Sequence, residues 1–258
     1  MASLVSLAPR LTFGSLGSGI GGADLGLQSL GWTLAWQVER DEGKRAVLAA
    51  HWPGTYRAVI DIASPTSRVM HERVDVVHCE PTAPEAEYVD PVLAWITAAR
   101  PERAIIDLAS RNAAAPLYRA TCYALARAGY RVGAMIARYQ TCAVVDGAVA
   151  ASHVRARVVL LAALPPLPAP PDLSGEVRSI LFTQDPAWDP ASEHEPETAL
   201  ASDVLERVRL LPSGWTAALQ EPARLEALRA VLSAIRISSL KSSAHFSSLG
   251  WRCRQTML

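Results

Sequence analysis

Cysteine is scarce in this sequence, and the few cysteines are not arranged in pairs. Cys79, Cys122, Cys142 and Cys253 lie far apart, and no two of them form a CxxC motif. This spacing excludes a disulfide-rich scaffold and a zinc site built from cysteine pairs, so we predict no metal site. It is the usage expected in a reducing compartment, and the sequence therefore predicts a cytoplasmic protein.

An excess of charge of either sign is also absent. Lys plus Arg and Asp plus Glu both number 25, which gives a net charge of +0. A DNA-binding enzyme usually has a basic surface, so this balance gives no support for strong attraction to phosphates. The first residues lack a signal-peptide pattern, and the longest apolar run, residues 158–164, is too short to cross a bilayer. We therefore expect no membrane partner, and the apolar fraction of 50% predicts a globular protein with a full core.

The most informative stretch is rich in glycine. Glycine recurs at positions 14, 17, 19, 21 and 22, after an apolar strand pattern and before a helix pattern. A second strand pattern, residues 33–38, ends at Glu39, about twenty residues after the turn. This order is typical of the nucleotide-binding corner of a doubly wound sheet, where the acid holds ribose hydroxyls. The alternative is an ordinary turn in an α/β domain, because a glycine-rich turn alone is a weak signal.

The same stretch resembles motifs I and II of the cytosine-5 DNA methyltransferases. The resemblance lies in GSGIGGADLGLQSLGW, residues 17–32, and in VERD, residues 38–41. It departs at Gly17, where the family has phenylalanine, and at Arg40, where the family has an apolar residue. The resemblance implies an α/β, Rossmann-like methyltransferase fold with a doubly wound, mostly parallel sheet, helices on both faces, and binding of S-adenosylmethionine. The candidate cofactor contacts that it implies here are Ser18, Gly19, Ile20, Gly21, Gly22 and Glu39.

A further cofactor contact is implied in the strand predicted at residues 58–62. In the family, an aspartate at this place hydrogen-bonds the adenine amino group, so the resemblance makes Asp61 a candidate. An acid that is merely solvated at the end of a strand fits the pattern equally well.

The resemblance places the chemistry after the buried strand predicted at residues 74–77, where the active sites of open α/β sheets form. The family has a cysteine here that attacks carbon 6 of a flipped-out cytosine. In HCEPTA, residues 78–83, Pro81 aligns with the motif proline, a candidate cofactor contact, and Thr82 aligns with the cysteine. A thiol of pKa about 8.5 ionises readily, whereas a hydroxyl would need a strong base beside it. We interpret Cys79, three residues upstream, as a small buried hydrophobe rather than the nucleophile.

The second catalytic motif of the family is also altered. The family has Glu-Asn-Val at the end of the strand predicted at residues 104–108, and the glutamate holds the flipped base. Asp107, Leu108 and Ala109 stand at these places. Asp107 is the candidate catalytic acid, but it is one methylene shorter than glutamate, and the Leu108 side chain cannot form a hydrogen bond.

HVRARVVLLA, residues 153–162, resembles the arginine motif of the family. In the family, two arginines order the catalytic loop and reach the base or its phosphate, which makes Arg155 and Arg157 candidate catalytic residues. The alternative is a charged strand entrance with solvated arginines. The preceding residues, 144–154, are predicted to form a loop.

The sequence predicts three regions. Residues 1–164 form the Rossmann-like core, and residues 165–202 form a short proline-rich and acidic insert in place of a target-recognition domain. Residues 203–258 form a helical segment that returns to the core, and residues 203–216 resemble motif IX of the family. The insert has few of the basic and polar residues that read base edges, so sequence-specific DNA recognition is expected to be reduced.

Three hypotheses about function follow. The first is a catalytically impaired cytosine-5 methyltransferase-like protein that binds S-adenosylmethionine, DNA or a partner protein. The second is an active enzyme of altered chemistry that modifies DNA or a nucleotide, using S-adenosylmethionine and His78, Glu80 or Thr82. The third is a scaffold that binds neither cofactor nor DNA.

Overall fold

The computed structural model describes residues 10–59, 72–80, 86–108, 114–145, 148–170 and 214–224. The first half of these contains β1 (Thr12–Leu16), α1 (Gly22–Ser29), β2 (Thr33–Val38), α2 (Glu42–His51) and β3 (Tyr56–Ala58). The second half contains β4 (Val76–Cys79), α3 (Ala86–Ala99), β5 (Arg103–Leu108), α4 (Ala114–Arg127), β6 (Arg131–Val145) and β7 (Ala148–Ala163). No helix within these ranges is both long and apolar enough to span a bilayer.

The strands form one 7-stranded sheet in the order β3-β2-β1-β4-β5-β7-β6. Neighbouring strands from β3 to β5 are parallel, whereas β7 is antiparallel to both β5 and β6. The strand order reverses between β1 and β4, and in an open α/β sheet such a switch point opens a crevice at the carboxyl ends of the strands. The glycine turn follows β1 directly, so the sheet places it at this crevice.

Two apolar clusters cover the two faces of the sheet. One face packs against α3 and α4 through Trp95, Ile96 and Leu125. The other face packs against α1 and α2 through Leu27 and Leu48. In β5 and β7, successive residues alternate between the clusters, as the period of two in a pleated strand requires. The doubly wound, mostly parallel sheet with helices on both faces that the sequence predicts is confirmed.

Two predicted strands have different bounds from the observed ones. Residues 58–62 were predicted as a strand, but β3 runs from Tyr56 to Ala58, because its partner β2 ends at Val38. Residues 60–62 of that prediction lie outside the described residues. Residues 74–77 were predicted, but β4 runs from Val76 to Cys79, because His78 and Cys79 still pair with both β1 and β5. Residues 78 and 79 are therefore strand residues, and the loop starts after them.

The largest error concerns residues 144–154, which were predicted to form a loop. Residues 144–145 and 148–154 belong to a long antiparallel hairpin in which β6 and β7 pair from Arg131–Ala163 out to Val145–Ala148, and residues 146–147 lie outside the described residues. The missed signal is the dipeptide Asp146-Gly147 between two valine-containing runs, which is typical of a hairpin turn.

Candidate functional site

A glutamate held by two backbone amides lies at the glycine turn. The Gly19 N–H donates to Glu39 Oε2 at 2.8 Å, and the Asp41 N–H donates to Glu39 Oε1 at 2.9 Å. Because each carboxylate oxygen accepts one amide, the orientation of the Glu39 side chain is fixed between the turn and the start of α2. The acid that follows β2 therefore lies at the glycine turn, which is the arrangement that the sequence predicts.

The two glycines on either side of Ile20 have different reasons to be glycine. Gly19 has φ +57°, and among the described residues nothing beyond its chain neighbours lies within 4 Å of where a Cβ would stand, so this side of the turn faces open space there. Gly21 has φ +82°, and a Cβ there would lie 2.4 Å from the Trp52 ring. The turn is therefore packed against the protein at Gly21 and open to a ligand at Gly19.

The side chains of Ser18 and Ile20 face the protein rather than the crevice. The Ser18 hydroxyl donates to the Ser15 carbonyl at 3.2 Å, and the Ser18 N–H donates to the Val38 carbonyl at 3.0 Å. Ile20 is buried in the apolar cluster on the α1 side. Only backbone groups of these two residues are thus positioned to contact a cofactor, and Gly22 begins α1, whose N-terminus favours negative charge.

Buried ionisable side chains lie at the carboxyl ends of β4 and β5. His78, Cys79, Glu80 and Asp107 are all less than 10% exposed, with Cys79 at 0%. Burial raises the pKa of the Cys79 thiol well above its ordinary value, and the charges of Glu80 and Asp107 raise that pKa further. The interpretation of Cys79 as a buried hydrophobe is confirmed, because a thiol in this environment stays protonated.

The sheet brings three of the predicted catalytic residues to the crevice end of β5. Asp107 pairs with Val159 of β7, and Leu108, the last residue of β5, pairs with Val158. Arg157 and Arg155 precede Val158 in β7 by one and three positions. Because β7 is antiparallel to β5, their backbone lies past the carboxyl end of β5. Asp61, Pro81 and Thr82 lie outside the described residues, and their roles stay predictions.

A polar network beneath the glycine turn was not predicted. Gln37 of β2 donates from Nε2 to Asp24 Oδ2 at 2.7 Å, and its Oε1 accepts from Arg57 Nε at 2.8 Å. Asp24 lies in α1 and is 0% exposed. Burial raises the pKa of Asp24 from 3.8 to about 6, against the opposing effect of the Gln37 hydrogen bond. The available signal was the presence of one acid and one amide within otherwise apolar segments, residues 20–27 and 33–38.

No protein-family model and no curated protein matches the sequence. Solved structures do match. The Dnmt2 methyltransferase of S. pombe superimposes with a TM-score of 0.63 at 14% identity, over 93% of this chain and 99% of that chain. A mutant of Spodoptera frugiperda DNMT2 gives a TM-score of 0.62 at 11% identity, over 89% and 98% of the two chains.

A third match, described as a DNA modification methyltransferase encoded within an E. coli prophage, covers 60% of this chain and 47% of that one, at 13% identity and a TM-score of 0.49. That score is too low to support an argument. The two longer superpositions, together with the strand order and the glycine turn, establish the architecture. The protein therefore has the Rossmann-like fold of S-adenosylmethionine-dependent methyltransferases.

Proposed function

We propose that the protein is a cytosine-5 methyltransferase-like protein that binds S-adenosylmethionine and does not transfer a methyl group through a cysteine. The observation that supports this most directly is the Glu39 carboxylate, which the amides of Gly19 and Asp41 hold at the switch point of the sheet. Bound S-adenosylmethionine would supply an electrophilic methyl group. The residues of this chain would bind and orient it.

The geometry of the turn fits the cofactor. An ionised carboxylate has about four acceptor positions, and the described residues occupy two of those of Glu39, which would leave two for the vicinal hydroxyls of a ribose. Gly19 offers open space where a Cβ would stand, which lets a ligand approach the backbone closely. The N-terminus of α1 would favour the carboxylate of the methionine part.

The thiolate mechanism lacks its nucleophile. Cys79 is fully buried within β4, and burial beside Glu80 and Asp107 raises its pKa, so it is unsuited to attack a pyrimidine. Thr82, at the family's cysteine position, has a hydroxyl instead. In this proposal the protein acts by binding DNA or a partner protein, and the place of Arg155 and Arg157 in β7, past the end of β5, supports contact with DNA.

A second candidate is a working methyltransferase of altered chemistry. The observation that favours it is the pair of buried acids, Glu80 and Asp107, at the ends of adjacent parallel strands. Buried acids of this kind at a crevice are candidates for proton transfer. Transfer of a labelled methyl group from S-adenosylmethionine to DNA or a nucleotide by the wild-type protein would favour this candidate over the first.

Calorimetric titration with S-adenosylmethionine tests the binding proposal. We expect the wild-type protein to bind, and we expect Glu39→Gln to raise the Kd about tenfold to a hundredfold, the usual effect of losing hydrogen bonds to a charged group. Glu42→Gln is the matched control, because it is the same substitution at an exposed position three residues away. Absence of wild-type binding at millimolar cofactor, or equal Kd values for Glu39→Gln and wild type, would contradict the proposal.

A further inference from the structure

A tryptophan far along the chain contacts the glycine turn. The Trp215 Nε1–H donates to the carbonyl oxygen of Ile20 at 2.8 Å, across 195 positions of sequence. Trp215 is 6% exposed and belongs to the apolar cluster that contains Ile20 and Leu48. The contact is therefore a buried hydrogen bond, formed where competition from water is weak.

Two aromatic residues at the end of α2, His51 and Trp52, hold the Trp215 ring in place. The His51 ring stacks on the Trp215 indole with centroids 3.5 Å apart and planes 6° apart, and His51 Nε2 lies 2.7 Å from the Trp215 carbonyl oxygen. Trp52 meets the indole edge-on at 5.4 Å, and its own Nε1–H donates to the Gln28 side chain of α1 at 2.7 Å. The indole is thus fixed relative to both helices that flank the turn.

The hydrogen bond falls on the peptide group that decides the shape of the turn. The Ile20 carbonyl and the Gly21 N–H belong to one planar peptide unit. The Gly21 N–H donates to the Ser18 carbonyl at 2.9 Å, while the Ile20 carbonyl accepts from Trp215. Since both ends of the plane are bonded, the unit cannot rotate without breaking a hydrogen bond, although Gly21 at one end would permit rotation.

We propose that Trp215 is a positioning residue for the glycine turn, which locks the Ile20–Gly21 peptide plane and so makes ligand binding at Gly19 depend on segment 214–224. The segment is held on the same side by Leu219, whose Cδ2 would lie 2.8 Å from a Cβ at Gly43 in α2. The consequence for cofactor affinity rests on the function proposed above. The effect of Trp215 on the conformation of the glycine turn does not depend on that function.

Trp215→Phe tests the inference, because it keeps an aromatic ring for His51 to stack on and removes the N–H. Hydrogen–deuterium exchange is measured on a peptide that covers residues 17–22, with a peptide from β4 or β5 as internal reference. We expect exchange in the turn to accelerate about threefold to tenfold relative to the reference, the effect of one net hydrogen bond. In parallel, the Kd for S-adenosylmethionine should rise by a similar factor.

Trp36→Phe is the matched control. The Trp36 ring is buried in the cluster on the opposite face, and its Nε1–H has no hydrogen-bond acceptor among the residues that the structure describes, so the same replacement removes no bond to the turn. It should lower overall stability without a selective change at residues 17–22. Unchanged turn exchange in Trp215→Phe, or an equal change in both variants, would overturn the inference. Wild-type protein that does not bind S-adenosylmethionine would instead overturn the proposed function, and the exchange result would still decide the role of Trp215.

Discussion

At the scale of single residues, the buried acid Asp24 makes the region under the glycine turn sensitive to pH. Its carboxylate is 0% exposed, and its neighbours in the network are the Gln37 amide and, beyond it, Arg57. The pKa of Asp24 is raised to about 6, mainly by burial. Between the unfolded value near 3.8 and about 6, the folded protein binds this proton more tightly than the unfolded chain does.

This sign predicts that the free energy of unfolding decreases as pH rises from about 4 to about 6. A shift of the Asp24 pKa from 3.8 to about 6 lowers the free energy of unfolding by about 3 kcal/mol above that range, because each pKa unit is worth about 1.4 kcal/mol. Asp24→Asn should remove this slope and be more stable than wild type at pH 7, since an asparagine oxygen still accepts from Gln37. Urea unfolding at several pH values measures this, with the exposed Asp90→Asn as control. Equal pH slopes in wild type and Asp24→Asn would show that Asp24 does not titrate in this range.

At the scale of elements, the packing of α1 on α2 depends on one close contact at the glycine turn. A Cβ at Gly21 would lie 2.4 Å from Trp52 and 3.0 Å from Leu48, both on the α2 side. Gly31, after the other end of α1, has nearly the same backbone conformation, φ +83° against +82°, but in the described part of the chain nothing beyond its chain neighbours lies within 4 Å of an added Cβ. The two positions therefore separate the strain of the left-handed conformation from the effect of crowding.

We expect Gly21→Ala to destabilise the protein more than Gly31→Ala. Both changes force an alanine into the left-handed region at about 1–2 kcal/mol, and Gly21→Ala adds overpacking of about 1–3 kcal/mol. Thermal or denaturant unfolding of the two variants measures the difference. If the two variants lose the same stability, Trp52 moves aside freely and the turn is less tightly packed than its contacts indicate.

The sequence predicted the helices and strands well where the apolar pattern and the residues that end it lie within one segment. β2 was predicted at residues 33–38 and is observed from Thr33 to Val38, and Asp41 caps α2 by accepting from the Lys44 N–H at 2.8 Å. The ends of β3 and β4 were missed, because they depend on where the neighbouring strands end. The Trp215–Ile20 bond could not be predicted either, since no local pattern links residues so far apart in sequence.

At the scale of the whole molecule, the fold and the chemistry are separate questions. The sheet order, the glycine turn and Glu39 are those expected for a methyltransferase fold. The sequence departs from the cytosine-5 family at Thr82 and again at Leu108 and Ala109, in different segments. Two separate departures mean that restoring one atom should not restore the reaction.

We therefore expect Thr82→Cys to remain inactive. The new thiol would lie beside a base-binding site in which the Asp107 side chain is shorter than the family glutamate and the Leu108 side chain cannot form hydrogen bonds. Transfer of a radiolabelled methyl group from S-adenosylmethionine to DNA is the measurement, with Thr82→Ser as the matched control. Methylation by Thr82→Cys but not by Thr82→Ser would show that the loss is confined to the nucleophile.

The β6–β7 hairpin gives the molecule an asymmetric outline. Past the Leu108–Val158 pair, residues 137–145 and 148–157 pair only with each other in the part of the chain that the structure describes. At about 3.3 Å per residue, this two-stranded ribbon extends roughly 30 Å beyond β5. Its root is inside the central sheet, whereas its tip projects on the crevice side. Among the described residues, a large molecule that approaches the crevice from the β6 edge therefore meets this ribbon before it reaches the glycine turn.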